Sequence, residues 1–160
     1  MFRKKYPKIS ILELNTSSLF DEKSFYQKFI EDLEQCKQEI IIESPYITTS
    51  RLNLMYPIFL RLLAKGVKIY VVTHVPEDLD NQKLRVQSSR AIQVFERIGV
   101  QALLSVGNHH RKLSILDRKI LWEGSLNILS QANSREIMRR IKDEESAMQM
   151  FHFVKFERFV

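Results

Sequence analysis

Three short apolar segments, separated by longer stretches with helical periodicity, constrain the fold of this chain more than any other feature. The segments are residues 39–43, 67–73 and 100–106. Runs of this length and composition are typical of strands buried on both faces of a sheet. The stretches with apolar residues at helical spacing are 21–37 (with Asp21 as N-cap), 50–65 and 82–98. This alternation predicts an α/β sandwich, with a mixed, mostly parallel sheet and helices on both faces.

The pattern changes after residue 106. Residues 111–117 and 120–122 are strand-like, and the segment between them is too short for a crossover helix, so we expect these strands to pair antiparallel. A basic helix is predicted over 134–141 and an amphipathic segment over 144–156, while a further strand is predicted at 9–14. Because no linker-like stretch interrupts these elements, residues 1–160 are predicted to form a single domain.

Composition and charge narrow the classes of function. Hydrophobic residues make up 44% of the chain and charged residues 28%, which is typical of globular proteins. One cysteine excludes an intramolecular disulfide and a Cys-rich zinc site. No stretch approaches the roughly 20 apolar residues of a membrane span, and no signal-peptide core follows the basic N-terminus, so we expect a cytoplasmic protein. The net charge of +6 favours a polyanionic partner, with a solvated basic surface as the alternative.

A dense pattern of chemically active residues runs from residue 110 to residue 127. It reads H-x-K-x4-D-x6-G-S-x-N, and the matching positions are His110, Lys112, Asp117, Gly124, Ser125 and Asn127. In a strand, residues i and i+2 share a face, which places His110 and Lys112 about 7 Å apart. Ser125 and Asn127 have the same spacing on the returning strand, and Gly124 permits close backbone approach. These groups could surround one tetrahedral phosphate.

The pattern resembles the HKD motif of the phospholipase D superfamily, without departure in spacing or identity. The resemblance implies a phospholipase D-like sandwich and a two-step displacement at phosphorus. In the first step His110 forms a covalent phosphohistidine, while a second histidine protonates the leaving oxygen and later activates water. This mechanism uses no metal and no other cofactor. Because the chain has one motif, as do small dimeric bacterial endonucleases of the superfamily, the resemblance implies a homodimer with one composite active site.

Three further residues are drawn into the candidate site. Members of the family carry a downstream acidic residue that holds the second nitrogen of the histidine, and Glu136 is the candidate here; the alternative is a surface glutamate. Ser44 and Tyr46 resemble the end of the family's first strand and could form the edge of the site, although the Tyr46 ring could also pack in a turn. Asp117 should face away from His110 by strand alternation, so we expect it to support the turn rather than the chemistry.

The surroundings of the motif favour nucleic acid as the substrate. Residues 109–142 contain eight Lys or Arg and three acidic residues. Such a patch could follow a phosphate backbone, and its candidate binding residues are Arg111, Arg135, Arg139 and Arg140. A solvated helix face is the alternative for the last three. Residues 121–131 are also similar to HKD domains attached to bacterial DNA helicases and restriction systems, which would supply a helicase or restriction partner.

The expected function is therefore a metal-independent endonuclease that cleaves DNA in preference to RNA and does not act at a membrane. A phospholipid hydrolase or phosphatidyltransferase is one alternative, and it would need a hydrophobic groove beside the histidine. The other alternative is a DNA-binding module without catalytic activity. The motif alone does not decide among them.

Overall fold

The computed structural model describes residues 16–160, so the strand predicted at 9–14 lies outside the described residues. The strands are β1 (Ser17–Asp21), β2 (Glu39–Glu43), β3 (Lys68–His74), β4 (Gln101–Ser105), β5 (Leu113–Leu116), β6 (Ile120–Gly124) and β7 (Ile137–Lys142). The helices are α1 (Phe25–Glu34), α2 (Thr49–Ala64), α3 (Gln82–Ile98) and α4 (Glu144–Phe153), with short 3₁₀ turns at Pro76–Asp78 and Phe156–Phe159.

The seven strands of this range form one mixed sheet in the order β1-β7-β6-β5-β2-β3-β4. Strands β2, β3 and β4 pair in parallel through the crossover helices α2 and α3. The other four pairings are antiparallel. The mixed sheet and the antiparallel β5–β6 pair are confirmed, but the prediction of a mostly parallel sheet is wrong. A parallel neighbour needs a crossover of a dozen or more residues, and the segments joining β5, β6 and β7 have no crossover helix.

Helices cover both faces of the sheet, as predicted. On one face, α1, α2 and α3 enclose a core that contains Phe25, Phe29, Phe59, Phe95 and Trp122. On the other, α4 and the last 3₁₀ turn pack Phe151 and Phe156 against the sheet. Strand β2 lies between the two cores, because Ile40 and Ile42 point to the first and Ile41 to the second. None of the helices within residues 16–160 has the length and apolar composition needed to cross a bilayer.

Three predicted elements differ from the structure. Residues 137–142 form β7 instead of a basic helix, with Met138 buried between exposed Ile137 and Arg139. Strand β4 lies at the edge of the sheet and is half-exposed rather than buried, because it pairs with β3 alone. Asp21 ends β1 instead of capping α1, and its carboxylate accepts hydrogen bonds from the backbone N–H groups of residues 23 and 24.

Candidate active site

All motif residues except Asp117 gather at one end of the β5–β6 pair, because antiparallel pairing puts the start of β5 beside the end of β6. Residues 110–112 precede β5, and residues 125–127 follow β6. The end of β2 reaches the same end of the sheet, since Glu43 pairs with Leu113. The motif's histidine and lysine thus lie just outside the strand, so strand alternation does not set their orientations as the sequence suggested. Topology rather than alternation brings the two halves of the motif together.

Lys112 is a half-buried lysine held against its own chain. Its Nζ donates a hydrogen bond to the backbone carbonyl of His110 at 2.5 Å. Burial lowers the pKa of the Lys112 amine, and the negative charge of Glu136 opposes that effect. The backbone N–H of Gly124 donates to the carbonyl of Lys112 at 3.3 Å, which joins the two halves of the motif. To contact a phosphate, the amine would exchange a neutral carbonyl for a charged oxygen, a stronger acceptor.

Ser125 and Asn127 lie in the loop after β6 rather than on the returning strand. The hydroxyl of Ser125 accepts a hydrogen bond from the backbone N–H of Ile137 at 3.1 Å. The Oδ1 atom of Asn127 is buried and has no hydrogen-bond partner within residues 16–160. Leaving a buried acceptor unpaired costs about 1–3 kcal/mol, so such a group is better explained by function than by stability.

Gly124 meets a steric requirement of the same loop. A Cβ at this position would lie 2.1 Å from the carbonyl oxygen of Ile137 and 2.9 Å from Cα of Met138. These are backbone atoms of β7, so they cannot move aside as a flexible side chain could. The close approach of β7 to the end of β6 therefore requires glycine.

We expect Gly124→Ala to lower the free energy of unfolding by about 3 kcal/mol, the upper end of the usual cost of overpacking. The matched control is Gly66→Ala, because Gly66 has a positive φ of 83° but a Cβ added there would meet no atom within 4 Å. That control should lose about 1–2 kcal/mol from backbone strain alone. Urea unfolding measures both, and equal losses would show that the contact with β7 is not decisive.

His110 is exposed and borders a second cavity. Its imidazole makes no hydrogen bond within the described range, and its ring lies 6.2 Å from the ring of the buried His74, at an interplanar angle of 82°. Tyr46 is half-buried, and its ring lies 5.8 Å from that of His74. Ser44 has a supporting position: its hydroxyl accepts from the Leu129 N–H at 3.0 Å and donates to the Tyr46 carbonyl at 3.1 Å.

Glu136 does not contact the histidine in this structure. Its carboxylate accepts a hydrogen bond from the Ser134 hydroxyl at 2.7 Å, and its charge acts on Lys112. The described residues therefore place no carboxylate against the His110 imidazole, and the carboxylate that does approach a histidine is that of Glu43. Oε2 of Glu43 lies 3.5 Å from Nε2 of His109, the residue before the nucleophile candidate.

Glu43 was missed in the sequence, although a carboxylate at the end of a strand predicted to be buried could have drawn attention to it. It pairs through both oxygens with Arg111, at 2.8 and 3.3 Å. Burial raises the pKa of Glu43, and the arginine opposes this. Burial, and after it the nearby charge of Arg111, lower the pKa of His109 to about 4, so this imidazole is neutral near pH 7. The ion pair between Glu43 and Arg111 fixes the segment that carries His110.

Asp117 lies at the opposite end of β5, away from the site. Its carboxylate accepts hydrogen bonds from the backbone N–H groups of Lys37, Gln38 and Glu39, at 2.8, 2.8 and 2.9 Å. Asp117 itself has a positive φ of 51° in the β5–β6 turn. These contacts make it an anchor between that turn and the start of β2, which is a structural position.

The proposed nucleic-acid arginines divide into two groups. Arg135 and Arg139 are exposed beside the site, and Arg139 donates to the Ser17 hydroxyl at 2.7 Å. Arg111 is partly exposed but engaged with Glu43. Arg140 was assigned wrongly, because its side chain is 14% exposed and forms an ion pair with Asp32 at 2.6 Å. An arginine buried in this way has no free face for a phosphate backbone.

Two cavities flank the motif. The first, which we call the apolar groove, has a volume of about 550 Å³ and includes Lys112, Ser125, Leu19, Ile137, Met150 and Phe153 in its lining. The second, which we call the polar pocket, has a volume of about 440 Å³ and is lined in part by Tyr46, His74, Asp78, Asp80, Asn108 and His110. No group of His, Cys, Asp and Glu within residues 16–160 is arranged to hold a metal ion.

Comparison with known proteins identifies the family. The model of the family described as cardiolipin synthase, PLD-like domain, matches residues 29–157, most of the chain. The chain belongs to this phospholipase D-like family. The superfamily predicted from the HKD motif is thereby confirmed. None of the curated protein sequences matches this PLD-like chain.

Solved structures share the fold of this PLD-like chain at low sequence identity. NucT from Helicobacter pylori superposes with a TM-score of 0.68 and 18% identity, covering 86% of this chain and 91% of that one. Nuc from Salmonella typhimurium, a phospholipase D family member, gives 0.66 and 15% over the same shares. A phosphatidylserine synthase from Haemophilus influenzae gives 0.60 and 14%, covering 88% of this chain and 37% of that one. These matches confirm the fold.

Proposed function

We propose that this chain is a metal-independent endonuclease that cleaves DNA through a covalent phosphohistidine at His110. One observation carries the proposal. The exposed imidazole of His110 and the half-buried amine of Lys112 lie just before β5, at the end of the β5–β6 pair where the loop with Ser125 and Asn127 begins. Imidazole, ammonium, hydroxyl and amide groups there can act together on one phosphodiester. The complete HKD motif and the family match support the same chemistry.

The reaction proceeds in two displacements at phosphorus. A nitrogen of His110 attacks, the phosphorus–oxygen bond to the leaving group breaks, and a second imidazolium gives its proton to the leaving oxygen. Water then attacks the phosphohistidine and gives a proton to that second imidazole, which restores both histidines. The ammonium of Lys112 and the amide of Asn127 stabilise the equatorial oxygens as charge develops. Since the chain has one motif, the second imidazole is His110 of another copy in a homodimer.

Charge favours nucleic acid as the substrate. Arg135 lies just before β7 and Arg139 within it; both are exposed and can contact phosphates on either side of the cleaved bond. TrmBL2, an archaeal chromatin protein with a novel mode of DNA binding, shares the fold with a TM-score of 0.60 and 15% identity, over 90% of this chain and 51% of that one. Binding through such contacts should weaken as salt rises.

A phospholipid substrate is the second candidate, and the apolar groove favours it. Leu19, Ile137 and Phe153 have 60%, 62% and 73% of their surfaces exposed there, next to Lys112 and Ser125. A groove beside the motif is what a lipid-acting member would require. Exposed apolar side chains in one patch mark an interaction surface of some kind.

The proposal is tested with labelled single- and double-stranded DNA, and with phosphatidylglycerol vesicles, in excess EDTA. We expect DNA cleavage, and a loss of about 10²–10³-fold in rate for Lys112→Met, since a transition-state charge would lose its donor. Lys119→Met, an exposed lysine in the β5–β6 turn, is the matched control and should cleave normally. Lipid turnover without DNA cleavage would replace the proposal with the second candidate. If neither DNA nor lipid is cleaved, both candidate functions are refuted.

A further inference from the structure

The polar pocket is a second chemical environment beside the candidate nucleophile, distinct from the apolar groove. His110 lines the pocket, whereas Lys112 and Ser125 line the groove. Its volume of about 440 Å³ falls within the range of small-molecule sites. One wall is held by the start of α3, where Oδ1 of Asn81 accepts a hydrogen bond from the Leu84 N–H at 3.1 Å. This hydrogen bond fixes the first turn of α3, which forms part of the pocket wall.

The pocket contains hydrogen-bonding groups that the protein leaves unused. His74 is 6% exposed, lines the pocket, and its Nδ1 has no partner within residues 16–160. The exposed carboxylates of Asp78 and Asp80 have no ion pair or hydrogen bond in the same part of the chain. The half-buried ring of Tyr46 provides an aromatic surface. The buried imidazole nitrogen without a partner points to a ligand, and the free carboxylates favour a ligand that donates hydrogen bonds.

The charge of the pocket excludes one class of ligand and favours another. Two carboxylates would repel the phosphate backbone, so the pocket is not a continuation of the basic surface. A nucleobase is uncharged, stacks on aromatic rings, and offers N–H donors on its edge. Carboxylates accept from exocyclic amino groups such as N4 of cytosine. Thymine has no amino group, and its single ring N–H lies between two carbonyl oxygens, which carboxylates would repel.

We propose that the polar pocket binds the nucleobase next to the cleaved phosphodiester and selects bases with an exocyclic amino group over thymine. Tyr46 stacks on the base, and Asp78 and Asp80 accept its amino hydrogens. His74 lines the same pocket with its buried, unpaired imidazole. The inference rests on the proposed nuclease function, and it assigns that nuclease a base preference.

The test uses end-labelled oligothymidylate that contains one cytidine or one adenosine. We expect cleavage beside the inserted base to be about ten-fold faster than at thymidine positions, in line with the usual value of one base contact. In Asp78→Asn/Asp80→Asn the ratio should fall to about two or less, because a neutral amide no longer discriminates between the amino group of cytosine and the carbonyl oxygens of thymine. The matched control is Glu77→Gln, an exposed acid of the same turn that does not line the pocket; it should keep the preference.

A binding measurement separates failure of the inference from failure of the proposed function. Cytidine and thymidine, which carry no phosphate, are titrated into the wild type and the double variant and followed by chemical-shift changes. Cytidine should bind more tightly, and the difference should disappear in the variant. If DNA is cut evenly at all bases, or if the preference survives in the variant, the inference is wrong and the nuclease stands. If DNA is not cut at all, selective cytidine binding would still support the pocket, and equal or absent binding would overturn it.

Discussion

An equal mixture of wild-type and His110→Asn chains, unfolded and refolded together, should cleave DNA at about one quarter of the rate of pure wild type at the same total protein concentration. Random pairing makes one quarter of the dimers fully wild type. His110→Asn alone should lose at least about 10³-fold in rate, as expected for a covalent nucleophile. In a composite site a mixed dimer has one imidazole, so it can neither complete the displacement nor release the product. The initial rate on labelled DNA is the measurement.

The control for this experiment is a mixture with His152→Asn, since His152 is an exposed histidine of α4 outside the motif. That mixture should keep the full rate, and light scattering should report dimers in every sample. A rate of one half in the His110→Asn mixture would contradict the composite site. It would mean that each chain works alone, and His74, with its ring 6.2 Å from that of His110, would become the partner to examine.

The largest loss of stability is expected for Asp32→Ala, about 3–5 kcal/mol in the free energy of unfolding. Asp32 is 2% exposed and accepts hydrogen bonds from Arg140 at 2.6 and 2.9 Å and from Nε1 of Trp122 at 3.0 Å. Removing the carboxylate leaves a mostly buried guanidinium without its counter-charge, which is the costly case for ion pairs. It also leaves the indole N–H of Trp122 without an acceptor.

Glu34→Ala provides the matched comparison on the same helix. Glu34 also pairs with an arginine, Arg61 at 2.7 Å, but the two side chains are 49% and 54% exposed. Exposed pairs contribute about 0–1 kcal/mol, so this variant should unfold at nearly the wild-type urea concentration. Urea unfolding followed by tryptophan fluorescence gives both values. Similar losses in the two variants would mean that the buried ion pair of Asp32 contributes no more to stability than the exposed pair of Glu34.

Local patterns in the sequence were enough to predict the elements whose hydrogen bonds and packing are themselves local. Helix α3 has the predicted bounds of 82–98, because Asn81 caps its start and Gly99, with φ of 104°, ends it. The short β5–β6 connection required antiparallel pairing, and this is what the structure shows. The motif predicted a shared position for the residues around 112 and 125, and the end of the β5–β6 pair brings them together.

The features that the sequence did not reveal depend on partners far along the chain. Strand β7 was mistaken for a helix because Arg140 interrupts the apolar alternation, and its partner Asp32 is 108 residues away. Arg111 was taken for a nucleic-acid contact, although its guanidinium is held by Glu43, 68 residues away. In both cases the arginine pairs with a carboxylate far away in the sequence, and no local pattern reports such a partner.

The contacts of Asp117 matter for any attempt to graft this motif onto another protein. Sliding β5 by one residue along β2 would turn each of its side chains to the opposite face. The three N–H groups that Asp117 holds at the start of β2 resist this slip from the far end of the strand. The aspartate therefore fixes the register of β5, and with it the positions of His110 and Lys112 just before that strand. A hairpin grafted without this aspartate would keep the motif residues but could pair in a shifted register, which would misplace the histidine and the lysine.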